Sequence, residues 1–162
     1  MPIDLISGYI QQIAHTLEEQ KLDYSFLDHL NITSFNDYKC YFFLIDSRII
    51  YVVLSGVATH SKLNAFSRNL LKAEIYNDHQ KMILIIDATQ LNTIPLSYPN
   101  KVDLLQFCDK ENWRKLFYIY QGLAKETMIN AELQKAECFQ RNVEKFDNPL
   151  SAINSAINYP KE

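Results

Sequence analysis

Glycine is scarce in this chain. Gly8, Gly56 and Gly122 are the only three in 162 residues, against an average usage of roughly 7%. No glycine-rich phosphate cradle can be assembled from them within one local motif. Cysteine is sparse and odd in number: Cys40, Cys108 and Cys138 stand far apart, without a C-x-x-C pair. Secreted frameworks use even, dense sets, so three reduced thiols in or near a core suit a cytoplasmic protein. Long apolar runs are also missing. Residues 49–54 and 82–86 fall far short of the roughly 20 residues that span a bilayer. Asp4 and Ser7 interrupt the N-terminal apolar residues and no basic stretch precedes them, so nothing there resembles a signal peptide. Positive charge is not in excess either. Sixteen Lys and Arg against nineteen Asp and Glu leave a net charge of −3, which argues against binding nucleic acid through bulk charge.

What is present describes one ordinary globular domain. Apolar residues make up 48% and charged residues 22%, enough for a core that needs no disulfide or metal staple. Residues 3 to about 21 read as an amphipathic helix. Ile3, Ile6, Ile10, Ile13 and Leu17 recur at intervals of three and four and form one stripe. Residues 22–37 lose that period: Asn31, Thr33, Ser34, Asn36 and Asp37 are loop formers, while Phe26, Leu27, Leu30 and Ile32 fit a short helix or a packed connection. A boundary is expected here, between an N-terminal helical appendage over residues 1–37 and a main domain over residues 38–162.

Residues 38–45 and 48–54 are rich in aromatic and β-branched side chains around Asp46-Ser47, the pattern of a β-hairpin. Gly56 ends the second strand, and Leu63, Phe66, Leu70 and Leu71 then follow helical spacing. Residues 81–88, KMILIIDA, form a nearly continuous apolar run closing on Asp87, as a strand covered on both faces does. Pro95 and Pro99 confine residues 89–100 to a loop, and Val102, Leu104, Leu105 and Phe107 suggest a short helix. Residues 113–120 read as a strand, residues 123–140 as a helix and residues 143–146 as a short last strand. Asp147 or Asn148 can cap a final helix with Pro149 in its first turn, carrying Leu150, Ile153 and Ile157 inward. The expected fold is α/β: a mixed sheet of about five strands, an N-terminal hairpin followed by alternating helices and strands, plus the extra N-terminal helix.

This order resembles the STAS-like superfamily, named for sulphate transporters and antagonists of anti-sigma factors, and its SpoIIAA-like or STAS/SEC14-like branch in particular. Three pieces carry the resemblance across about residues 38–157. They are Leu54-Ser55-Gly56 at the end of a hairpin strand, MILIIDAT ending the apolar strand, and Val143, Phe146 and Asp147 followed by the helix AINSAI. The resemblance implies a non-catalytic cytoplasmic module that binds another protein in signalling or regulation. Its phosphorylation switch does not carry over. Antagonists of that type place a D-S-S-G-like motif after the central strand, where this chain has Ile94-Pro95-Leu96-Ser97-Tyr98-Pro99. Ser97 is the nearest hydroxyl, without the adjacent acid and glycine.

The residues offer little catalytic chemistry. His15, His29, His60 and His79 show no ligand spacing with one another or with cysteine, so no metal is expected. No G-x-S-x-G elbow occurs, and Cys108 precedes Asp109, Lys110 and Glu111, a poor setting for a thiolate. No cofactor is expected. Asp87, at the carboxyl end of the apolar strand, occupies the place where open α/β sheets gather ligands. With Thr89, Ser97 and Tyr98 it is a candidate lip for a partner or small ligand. Ile6, Ile10, Ile13 and Leu17 are the candidate partner-binding stripe, for docking or for a homodimer. The alternative function is carriage of an apolar or lipid-like small molecule, since WRKLFYIY, residues 113–120, could line a concave apolar pocket.

Overall fold

A computed structural model describes residues 3–27, 38–57, 69–73, 75–77, 81–93, 113–121 and 143–160. The elements in chain order are α1 (Ile3–Glu19), β1 (Tyr24–Leu27), β2 (Tyr38–Ile45), β3 (Ile49–Val57), β4 (Ile83–Thr93), β5 (Lys115–Ile119), β6 (Val143–Phe146) and α2 (Pro149–Asn158). Residues 69–72 are also helical. The six strands lie side by side in sequence order. β1, β2 and β3 form an antiparallel meander, and β3, β4, β5 and β6 run parallel. The protein is therefore α/β with a mixed sheet. No helix among the described residues is long and apolar enough to cross a membrane.

Alternation along β3 and β4 divides the core into two layers. Ile50, Val52, Leu54, Leu84, Ile86 and Ala88 face one side, packed with Leu70, Met82 and Trp113. Ile49, Tyr51, Val53, Ile83 and Ile85 face the other, under α1 and α2. The unbroken apolar runs 49–54 of β3 and 83–86 of β4 follow from being covered twice.

The first helix corrects two expectations. Ile10, Ile13 and Leu17 are buried in the chain's own core, against Phe43, Ile45 and Ala156 among others. They are not a free docking stripe, because the sheet face beneath them needs a cover. The side chain of Ile6 lies outside the described residues. Nor is the N-terminal segment a separate appendage. β1 pairs with β2 from Tyr24 opposite Ile45 to Leu27 opposite Phe42, and Leu22 packs beside α1. The expectation of a connection at residues 22–37 missed this strand because only four residues carry it.

Other differences are local. The strand that was to end at Gly56 runs to Val57, with Gly56 at φ 94° beside two register shifts. β4 continues to Thr93, where a loop from residue 89 was expected. Leu150 is 42% exposed rather than inward, although Ala152, Ile153 and Ala156 of the same helix are buried. The final helix is capped by the Asn148 side chain, which accepts from the Ser151 N–H at 2.9 Å, with Pro149 in the first turn. At its other end Arg48 donates to the Ile157 carbonyl at 2.6 Å, tying the hairpin turn to the negative end of the helix. The expected helices near residues 102–107 and 123–140 lie outside the described residues.

Non-glycine residues at positive φ include Lys81 (φ 48°) before β4 and residues of two turns. In the hairpin, Asp46 (φ 53°) and Ser47 (φ 59°) supply the left-handed pair that a type I′ turn demands. At the end of α1, Lys21 (φ 56°) donates to the Glu18 carbonyl and Leu22 to that of Leu17, both at 3.0 Å. Those are the two bonds of a Schellman cap, whose left-handed residue is usually glycine. Lys21→Gly is expected to raise stability by about 0.5–1 kcal/mol, since relief of the left-handed strain exceeds the entropy glycine adds to the unfolded chain. Denaturant unfolding checks this; an unchanged or lower midpoint would count against the cap.

Candidate functional site

The site begins with one residue. Asp87 is the only charged side chain among the described residues that is completely buried. β4 places it opposite Val53 of β3 and Ile119 of β5, and β5 stops there. Its side chain follows Ile83 and Ile85 by the two-residue repeat, toward the face covered by α1.

Four donors from three residues meet its two oxygens. Tyr9 of α1 and Tyr51 of β3 both donate to Oδ2, the Tyr51 bond being 2.6 Å. The Thr89 N–H and hydroxyl reach Oδ1 at 2.9 and 2.7 Å. The Thr89 hydroxyl also lies 2.8 Å from the Tyr9 hydroxyl, and the Gln90 amide donates to it at 3.2 Å. No ion pair reaches Asp87 among the described residues. Its compensation comes from hydroxyl and amide dipoles.

The same residue bends the strand. Between the pairs Val53–Asp87 and Ser55–Gln90, β4 advances one residue more than β3, which is a β-bulge. The Thr89 N–H bonds to the Asp87 side chain two residues back, as aspartate side chains often arrange. Past the bulge the facing changes: Leu91 packs with Ala88 on the opposite core layer.

Of the expected lip, the structure brings Asp87 and Thr89 together; Ser97 and Tyr98 lie outside the described residues. Tyr9 and Tyr51 belong to the site and were not foreseen. They stand 78 and 36 positions from Asp87, and no local spacing reveals them without the pairing of β3 with β4. His15 is exposed and 2.5 Å from Glu19, one helical turn on, while the other histidines, Cys108 and Cys138 lie outside the described residues. Among the described residues no three His, Cys, Asp or Glu side chains converge as metal ligands would.

Both phenols keep their protons beyond the ordinary tyrosine value. Burial is the main cause for each, followed by the neighbouring Asp87 charge. In the unfolded chain both ionise near pH ~10. Their contribution to stability is therefore complete below that pH and declines as pH rises above it, by roughly 1.4 kcal/mol per unit for each tyrosine. Denaturant unfolding followed from neutral pH to above pH ~10 should show this decline, made shallower by one tyrosine's share in Tyr51→Phe. A stability that stays level above pH ~10 would contradict the buried phenols.

Fold and site together define an α/β domain whose first helix is fastened over a buried aspartate at the carboxyl end of a parallel strand. Comparison with protein-family models, with curated proteins and with solved structures finds no match.

Proposed function

We propose that the chain is a non-catalytic, cytoplasmic protein-interaction module of the STAS-like kind, acting in signalling or regulation. One observation carries the reading: Asp87 has both carboxylate oxygens engaged by donors of its own chain. A general base or nucleophile must offer a lone pair to its substrate, whereas this carboxylate holds α1 to the sheet. The binding face is the carboxyl end of the parallel strands, where partners of open α/β sheets dock. There β4 runs on to Thr93 after β5 has stopped at Ile119, carrying half-buried Thr89 and Gln90 and exposed Asn92. The buried stripe of Ile10, Ile13 and Leu17 has no part in docking.

Asn92→Lys tests this, because the side chain is exposed and its replacement leaves the Asp87 bonds in place. Tagged wild-type chain should retain a protein partner from extract in fixed ratio, and the variant should lose it with an unchanged unfolding midpoint. A chain that retains no protein, or that carries an apolar small molecule in native mass spectrometry, would overturn the reading.

A further inference from the structure

β1 and β6 are the two outer strands of the sheet, and outer strands present backbone groups that other chains can pair with. One bond identifies the outward groups on β1. The Asp46 N–H donates to the Asp23 carbonyl at 2.8 Å, and the register sets Asp23 opposite Asp46. These two residues therefore form a hydrogen-bonded pair of the antiparallel ladder. By alternation, Ser25 and Leu27 turn their backbone groups to β2, and those of Tyr24 and Phe26 point away from the sheet. Among the described residues, the outward groups have no hydrogen-bond partner.

β1 is short, but it carries neither of the residue types that keep outer strands apart, charge and proline. Tyr-Ser-Phe-Leu contains no charge and no proline. Phe26, resting on Phe43 with ring centroids 5.0 Å apart, is 37% exposed, one of two large apolar side chains exposed among the described residues. The other edge is built differently. The Tyr120 N–H bonds to the Phe146 carbonyl, so Phe146 and Glu144 turn to β5 and Lys145 turns outward. An antiparallel two-fold pairing matches outward residues with outward residues. On β6 the registers centred on the strand then set Glu144 against its own copy, or Lys145 against its own copy, and like charges directly opposite repel.

We propose that β1 is a self-association edge. Two copies of the chain join antiparallel through β1, with Ser25 on the two-fold axis, and their sheets become continuous. In this register Tyr24 of one copy lies opposite Phe26 of the other, twice over. Each such pair exchanges two backbone hydrogen bonds and sets one aromatic ring beside another. Ser25 meets Ser25 of the second copy, and Leu27 lies opposite Asp23, so no like charges oppose each other. The contact is short, which makes the dimer weak and dependent on concentration. Self-association, expected of the first helix, moves to the strand that follows it, and it stands or falls independently of the proposed partner.

Sedimentation velocity of the full chain, from micromolar to near-millimolar concentration, tests the edge. The wild type should pass from monomer to dimer. Ser25→Lys, at a side chain exposed in the single chain, should remain monomeric with an unchanged unfolding midpoint, because it sets two ammonium groups against each other on the axis. Ser25→Cys gives a second readout. Residues opposite each other in a non-hydrogen-bonded pair have Cα atoms about 4.5 Å apart, within disulfide range. Oxidation of concentrated protein should link two chains through position 25, and Leu27→Cys should give no such link through position 27. A wild type that is monomeric at every concentration, or a dimer that survives Ser25→Lys, would overturn the proposal.

Discussion

A carboxylate withdrawn from water loses hydration worth several kcal/mol, and Asp87 sits at full burial inside the sheet. Two phenols, one threonine hydroxyl and one backbone N–H replace that water. Much of the architecture follows from supplying them. Tyr51 must lie on the strand beside Asp87, which the parallel pairing of β3 with β4 provides. Tyr9 must come from outside the sheet, which fixes where α1 crosses it. Thr89 must fold back, which produces the bulge and redirects the rest of β4. Removing any one donor leaves a buried charge less satisfied, so the helix, the pairing and the bulge are energetically linked.

The two ends of the molecule are held by different chemistry. At the amino end of the parallel strands, Arg48 joins the hairpin turn to the Ile157 carbonyl of α2, and its own carbonyl accepts from the Ile83 N–H at 3.0 Å. At the carboxyl end, the Asp87 network joins α1 to β3 and β4. Between them lie apolar layers with no buried side-chain polar atom left unpaired among the described residues. At the carboxyl end, half-buried Thr89 and Gln90 and exposed Asn92 emerge together.

The architecture was legible wherever the signal is local. Period three-to-four marked α1, aromatic and β-branched runs marked β2 and β3, and the doubly covered strand was visible in KMILIIDA. Asn148 and Pro149 announced the last helix. What was not legible depends on pairing. An amphipathic stripe is the same in sequence whether it covers its own sheet or another chain, so the burial of Ile13 and Leu17 could not be read from spacing. β1 is four residues among loop formers, and it is a strand because β2 lies beside it. Half of the site, Asp87 and Thr89, was marked by its place at the end of an apolar run. Tyr9 and Tyr51 looked like any two of ten tyrosines until tertiary contact brought them to one carboxylate.

The claim that α1 is fastened to the sheet through this carboxylate is tested most directly by a double-mutant cycle. Unfolding free energies would be measured for the wild type, Tyr9→Phe, Asp87→Asn and the double variant. A direct bond between the two predicts a coupling energy of about 1 kcal/mol or more, with Tyr9→Phe costing little once Asp87 has lost its charge. Effects that add within about 0.3–0.5 kcal/mol would show that the two side chains act independently, and would contradict the account.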